Sequence, residues 1–294
     1  MRRAPRILRL VRAGRESRAV CLPVHRPRGV PRMEGEMAAR ARGYGWISDL
    51  PDHRDYLYVA PAELRGRMPH HVDLRPACPP VYDQGQLQSC TANATAAAVQ
   101  FVRRKAGLAP DFRPSRLFIY YNARAIQGHV RCDNGSQIRN GVKCVARLGV
   151  CAEDLWPYRF PRFEIKPSPR CYSAARGHRA IVYQRIRRDP DLNALKACLA
   201  SGYPFIFGMA VYEDFETAAV QMTGVARMPK RGERHVGHGH AVLAVGYDDT
   251  TRRFIVRNSW GQRWGQRGYF TLPFGYLAER GLSDDFWTVR MVRA

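Results

Sequence analysis

At 294 residues with 45% hydrophobic side chains, the chain is too long for a disulfide-stapled miniprotein and too apolar for a disordered or fibrous one, so it can bury a core as one bilobal domain or two ordinary ones. Its 48 Lys and Arg against 25 Asp and Glu give a formal net charge of +23, which on its own would point to nucleic acid or another anionic surface. Only Lys105, Lys143, Lys166, Lys196 and Lys230 are lysines, and the arginines are scattered rather than clustered, which fits a compositional preference as well as a binding face.

Residues 1–36 carry ten arginines against Glu16, Glu34 and Glu36, so +7 of the charge belongs to this stretch. Arginines interrupt every apolar run of signal-peptide length, and Pro5, Pro23, Pro27 and Pro31 break the amphipathic helix that a transit peptide needs. We read 1–36 as a basic leader, disordered or non-native, with Met33 and Met37 as alternative starts. Nowhere are there about 18 consecutive uncharged apolar residues, so no membrane span and a cytoplasmic location are expected.

Residues 37–70 form a short segment, in which 44–61 (YGWISDLPDHRDYLYVAP) mixes aromatics with Asp and Pro and is expected to pack as ordered, irregular chain on a body formed by 71–294. Helical patterns come next: 90–107, Ala-rich and ended by Gly107; 115–126 after Pro114; and 136–149, with Ile138, Val142, Val145 and Leu148 on one face. After a Pro-rich connector at 160–170, residues 179–187 alternate like a strand, and Asp189-Pro190 opens a short helix whose Leu192, Leu195 and Leu199 share a face. Residues 204–212, 240–247, 253–260 and 268–273 read as strands separated by turn residues. Helices first and strands later imply an α+β protein with a helical lobe at about 80–175, a β-rich lobe at about 176–294 and a cleft between them.

Two segments carry chemistry. Cys90 opens an Ala-rich helix with Ser89 available as N-cap, where the helix dipole favours a thiolate; an ordinary buried cysteine is the plainer reading of that feature alone. His240 and Asn258 are both nine residues from Asp249, the middle of a polar turn, so an unbulged hairpin sets them directly opposite. The Asn amide could then accept the Nδ1 proton and leave Nε2 facing a thiol.

The order Cys, His, Asn, with DQG before the cysteine, HAV..GY around the histidine and RNSWG..WG..GYF after it, resembles the papain-like cysteine peptidases (family C1), in particular a bacterial subset with CTANA at the nucleophile. The resemblance runs from about Tyr44 to the C-terminus and implies a papain-like two-lobed fold with an antiparallel β-rich lobe and an active-site cleft between the lobes. It further implies peptide-bond hydrolysis through a thioester acyl-enzyme, without cofactor, on a peptide or protein substrate. Cys90 is then the nucleophile, with a pKa brought down to ~3.5–7.5, His240 the acid and base, Asn258 its orienter and Trp260 the shield of that contact. Gln84 supplies, with the Cys90 backbone N–H, the oxyanion hole.

Departures from the family pattern bear on the cleft. Leu87 removes a cysteine that anchors a disulfide in secreted relatives, Gln88 replaces a glycine along the substrate path, and Thr91 stands where an aromatic usually packs. By resemblance Asn134 and Gly135 are a backbone wall for extended substrate, although a turn accounts for them equally, and Gly239 leaves room for a bulky apolar residue two before the cut. The segment before Val72 is short, so the long helical propeptide of secreted relatives is not expected, and 44–61 is expected to stay packed on the body or to cover the cleft. His235 and His238 near His240 lack partners at metal-ligand spacing, so no metal is expected, and Cys132, Cys144, Cys151, Cys171 and Cys198 are read as free structural thiols. Two rivals remain: a catalytically silent papain-fold peptide binder, and an anion-binding protein driven by charge, which no nucleic-acid motif supports.

Overall fold

The computed structural model describes residues 43–292, apart from Arg65, Pro190, Asp191 and His238. The leader at 1–36, both alternative starts and His238 therefore lie outside the described residues. In chain order the elements are β1 (Trp46–Ile47), β2 (His71–Asp73), α1 (Cys90–Lys105), α2 (Arg116–Gln127), β3 (Ser136–Gln137), α3 (Ile138–Leu148), α4 (Pro169–Ala175), β4 (Ala180–Arg185), α5 (Asn193–Ala200), β5 (Phe205–Met209), α6 (Ala218–Thr223), β6 (His240–Asp248), β7 (Arg253–Arg257), β8 (Tyr269–Pro273), α7 (Phe274–Ala278) and β9 (Ser283–Val292).

An antiparallel sheet in the order β4-β9-β5-β6-β7-β8, with β2 added beside β6, forms the β-rich half. Both faces of this sheet are covered. Ala241, Leu243 and Val245 of β6 join the helices α1, α2 and α3, while Val242 and Ala244 face the opposite way onto Phe205, Phe207, Phe254 and the leucines of α5. Double coverage is why β6 reads as the unbroken apolar run AVLAV rather than as an alternation.

Helix α1 is buried over nearly its whole length, from Cys90 to Arg103. Its alanines, lacking bulk, let it lie flat between the sheet and α2 and α3. At the start of α2 the Ser115 hydroxyl accepts from the Phe118 N–H, and Gly128 ends the helix in a left-handed conformation.

Several arginines are structural. Arg103, Arg116, Arg124, Arg139 and Arg257 are buried. Arg124 donates to the carbonyls of Val130 (2.8 Å), Cys132 (2.7 Å) and Phe163, and Arg116 holds Glu153 at 2.7 Å while reaching the Asp83 carbonyl at 2.8 Å. Multiple donors in a planar fork let one arginine tie several loop carbonyls, so part of the positive charge is used internally. Cys132 is disulfide-bonded, against the expectation of a free thiol, whereas Cys144, Cys151, Cys171 and Cys198 are free and buried as expected. Among the described residues no helix is long and apolar enough to cross a membrane.

Candidate active site

The N-terminus of α1 abuts the first residue of β6 and the residue just past β7. The Ala241 N–H donates to Cys90 Sγ at 3.3 Å, which puts the thiol against the residue next to His240. His240 Nε2 and Asn258 Oδ1 lie 2.8 Å apart in a fully buried pair, and Asn258 Oδ1 also accepts from the Ser259 N–H at 2.8 Å. Trp260 stacks on the His240 ring at 4.8 Å with planes 22° apart. Cys90, His240, Asn258 and Trp260 are thus brought together.

Two details differ from expectation. The amide oxygen meets Nε2 and not Nδ1, the reverse of the nitrogen expected from the strand pattern. The hairpin is also not in the expected register: Asp248 pairs with Arg253, a bulge falls between Ala244 and Gly246, and Leu243 pairs with Arg257. That register places Asn258 across from Val242, so His240 and Asn258 are diagonal neighbours on one face. At that offset the imidazole reaches across with its far nitrogen.

Ser89 is at the N-cap, but its hydroxyl bonds Tyr158 OH at 2.5 Å and accepts from Asn93 Nδ2 at 3.1 Å, so it caps no backbone N–H. Gln84 is 1% exposed, and its backbone N–H donates to the Ser259 carbonyl at 2.9 Å. Its side-chain oxygen accepts from Ser259 Oγ at 2.5 Å, which turns Nε2 toward the cleft. Ser259 is the partner that the sequence reading missed; its adjacency to Asn258 was the available signal.

Gln84 Nε2 donates at 2.8 Å both to the Leu87 carbonyl and to the Gly43 carbonyl, and Gly43 belongs to a strap of the chain's own N-terminal segment lying in the cleft. The Gly45 N–H lies near the Cys90 thiol, and the Gly45 carbonyl accepts from the Ser136 N–H at 2.9 Å. The Trp46 N–H donates to the Gly239 carbonyl at 2.9 Å, and β1 runs parallel to β3. Tyr44 packs edge-on against His240 at 5.5 Å and Trp260 at 5.8 Å, and its hydroxyl donates to Glu216 at 2.8 Å. The segment 44–61 is therefore both ordered on the body and laid across the cleft.

Small residues make this approach possible. A Cβ on Gly45 would stand 1.9 Å from the Gln88 carbonyl oxygen, and one on Gly135 (φ +80°) would stand 2.2 Å from the Gly45 oxygen. Gln88 therefore borders the cleft through its backbone as well, its N–H held by Asp133 at 3.1 Å. Asn134 is exposed, and the wall that pairs with the strap starts at Ser136, after Gly135.

Further along, the strap is pinned by charge. Arg139 binds Asp55 at 2.6 Å, with both side chains buried, and Asp49 accepts from the Trp287 indole at 2.8 Å and the Arg139 N–H at 3.2 Å. Burial and the neighbouring Asp285 carboxylate push Asp49 up to about 7. Burial likewise pushes the Cys90 thiol up to about 11, against the low value expected of an exposed thiolate at a helix N-terminus. Among the described residues no group of three or more His, Cys, Asp and Glu could hold a metal ion.

A family model described as papain family cysteine protease matches residues 68–286. An uncharacterised peptidase C1-like protein of Acanthamoeba polyphaga mimivirus is 38% identical over 274 residues, covering 86% of this chain and 88% of the viral one. Cathepsin K of Gallus gallus is 30% identical over 236 residues, covering 78% of this chain and 64% of the chicken protein. Among solved structures, xylellain, a cysteine protease from Xylella fastidiosa, superimposes with a TM-score of 0.80 at 43% identity, covering 88% of this chain and 100% of that one.

Proposed function

Since the chain belongs to the papain family of cysteine proteases, we propose that Cys90, His240 and Asn258 are its catalytic triad, that Gln84 and the Cys90 N–H form its oxyanion hole, and that the strap at 43–47 keeps it covered. The observation that carries this reading is the chain of contacts Asn258 Oδ1 to His240 Nε2 at 2.8 Å and Cys90 Sγ to the Ala241 N–H at 3.3 Å.

In the uncovered cleft the Cys90 thiol passes its proton to His240 Nδ1, and the thiolate sulfur attacks the carbonyl carbon of the substrate. Negative charge collects on the carbonyl oxygen, where the Gln84 Nε2 and Cys90 N–H donors stabilise it. Collapse breaks the C–N bond, the His240 imidazolium protonates the leaving amine, and an acyl thioester remains on Cys90. Water, deprotonated by His240, then cleaves the thioester and returns the thiol. Asn258 holds the imidazole plane throughout, and Trp260 keeps that hydrogen bond dry.

The strap escapes this chemistry for a geometric reason. Its Gly43 carbonyl sits on the Gln84 donor while its Gly45 peptide sits at the thiol, so no single carbonyl is addressed by both donor and nucleophile. A peptide-binding protein without hydrolysis is the rival that the occupied groove would favour. Cleavage of a mixed peptide library by wild type and by Cys90→Ala separates the two. Turnover confined to wild type is the expected result, and no turnover by wild type even after the strap is released refutes the peptidase assignment.

A further inference from the structure

A chain of side-chain hydrogen bonds runs from a buried ion pair to the backbone of Gln84. Glu153 holds Arg116 through two bonds, to Nε at 2.7 Å and to Nη2 at 2.8 Å. Arg116 Nη1 donates to the Asp83 carbonyl at 2.8 Å and to Asn93 Oδ1 at 3.0 Å. With its oxygen turned to a cation, the Asn93 amide presents Nδ2 to Ser89, where it donates to the carbonyl at 3.0 Å and to Oγ at 3.1 Å. Tyr158 Oη lies 2.5 Å from Ser89 Oγ and 2.8 Å from the Gln84 carbonyl oxygen, and the Arg116 guanidinium lies over its ring at 3.9 Å.

Proton counting gives this chain one direction. A carbonyl only accepts, so the single Tyr158 hydroxyl proton goes to Gln84, and the Ser89 hydroxyl donates to Tyr158 Oη. Burial pushes the Tyr158 hydroxyl up to about 12, so its proton stays in place at neutral pH. Arg116 and Tyr158 thereby grip two consecutive carbonyls, those of Asp83 and Gln84, while the Ser259 carbonyl holds the Gln84 N–H at 2.9 Å and Asp83 Oδ1 holds the Gly85 N–H at 2.9 Å. The two peptide planes that flank Gln84 are both anchored, and with them the direction in which its side chain leaves the backbone.

We propose that Tyr158 is a positioning residue for peptide-bond hydrolysis, its hydroxyl fixing the Gln84 carbonyl and through it the aim of the Gln84 Nε2 donor at the developing oxyanion. This rests on the peptidase reading above. Ser89 and the first turn of α1 keep their own brace from Asn93, so the hydroxyl acts on the Gln84 donor and not on the Cys90 N–H. A donor displaced by about 1 Å costs catalysis heavily even though no group that touches substrate has been removed.

The test is a double-mutant cycle of Tyr158→Phe and Gln84→Ala, run in the full-length wild-type chain and repeated with Gly45→Val, which bars the strap from Gln84. It reads kcat at saturation for a fluorogenic coumarylamide peptide built on the best cleavage in the mixed library, per Cys90 titrated with a peptidyl epoxide. A strap that competes with substrate enters KM and leaves this kcat untouched. Tyr158→Phe keeps the ring beneath Arg116 and deletes the hydroxyl alone. It should lower kcat about 10-fold when Gln84 is present and by no more than about twofold in Gln84→Ala, where that donor is no longer there to aim. Ser89→Ala leaves the Tyr158 proton on the Gln84 carbonyl and should cost less than about threefold. A role in packing alone would show in the unfolding midpoint and in the number of titrated sites, and would multiply with Gln84→Ala. Unchanged kcat in Tyr158→Phe, an equal factor with and without Gln84, or a loss in Ser89→Ala as large as in Tyr158→Phe overturns the positioning role and leaves the peptidase reading standing. Absence of turnover of the library by wild type and by Gly45→Val overturns the peptidase reading and this role with it.

Discussion

Gly45→Val should expose the thiol. Gly45 lies so close to the Gln88 backbone that a Cβ would fall 1.9 Å from the carbonyl oxygen and 2.6 Å from its carbon, and backbone cannot swing away as a side-chain tip can. A β-branched residue there expels 43–47 from the cleft, withdrawing Tyr44 and Trp46 from the margins of the two cores and leaving the rest of each in place. With the strap seated, the thiol is pushed up to about 11 from its ordinary 9.0. At pH 7 that leaves about one thiolate in 10⁴, and relief of burial alone brings it to about one in 10². The less basic thiolate is also the weaker nucleophile, with a sensitivity of about 0.4–0.5 per pKa unit, which removes roughly tenfold of that gain. Iodoacetamide labelling of Cys90 at pH 7 should therefore be at least about tenfold faster in Gly45→Val than in wild type, and faster still if protonated His240 pairs with the thiolate. Quenched time points and mass spectrometry of the Cys90 peptide give the rate, with Cys144 and Cys198 as internal controls for an intact body. Equal Cys90 rates, with both controls still protected, would refute the claim that the strap suppresses the thiol.

Two further outcomes follow from the same geometry. In a form with the strap released, Asn258→Ala should lower kcat/KM by about 10- to 100-fold through loss of the 2.8 Å bond to Nε2, with the pH profile shifted, and Gln84→Ala by ~10²–10³ mainly in kcat. Retention of full kcat by either would remove that residue from the machinery. Seating of the strap should also depend on pH. Asp49 is raised from 3.8 to about 7 by burial and by Asp285, so the seated state binds the proton more tightly than the released one. Seating is then fully supported below about pH 4, weakens by up to about tenfold per pH unit toward pH 7, and is flat above that. Hydrogen exchange of amides 46–50, corrected for intrinsic rates, follows it, and Asp49→Asn should flatten the profile; a seated fraction that grows from pH 4 to 7 would contradict the sign.

The elements with strong local patterns were legible. Helices α1, α2 and α3, the short α5 and the strands β4 to β8 fall where periodicity and turn residues put them. Strand β9, which pairs on both sides with β4 and β5, was missed, because Ser283–Val292 opens with SDD and its pairing partners are distant in sequence. The proline-rich connector expected at 160–170 overlaps only the first two residues of helix α4, for which Pro169 at its first turn is well placed as a start.

By itself the amino-acid sequence marked Cys90, His240 and Asn258 as the candidates for the chemistry, since they stand in short motifs whose composition is local. Only the tertiary structure decided how they meet. The turn is centred past Asp249, with Asp248 paired to Arg253, and a one-residue bulge within β6, which nothing in the local pattern marks, returns His240 and Asn258 to one face as diagonal neighbours, the imidazole meeting the amide through Nε2. The cleft is the larger case. That Gly43, Gly45 and Trp46 close over a thiol about 45 residues downstream, with Asp285 at the far end of the chain receiving the indole, depends on contacts between segments that share no local signal. Charge was legible only as a total: +23 could not reveal that Arg116, Arg124, Arg139 and Arg257 lie inside, bonded to carboxylates and carbonyls, because burial is a property of packing and not of composition.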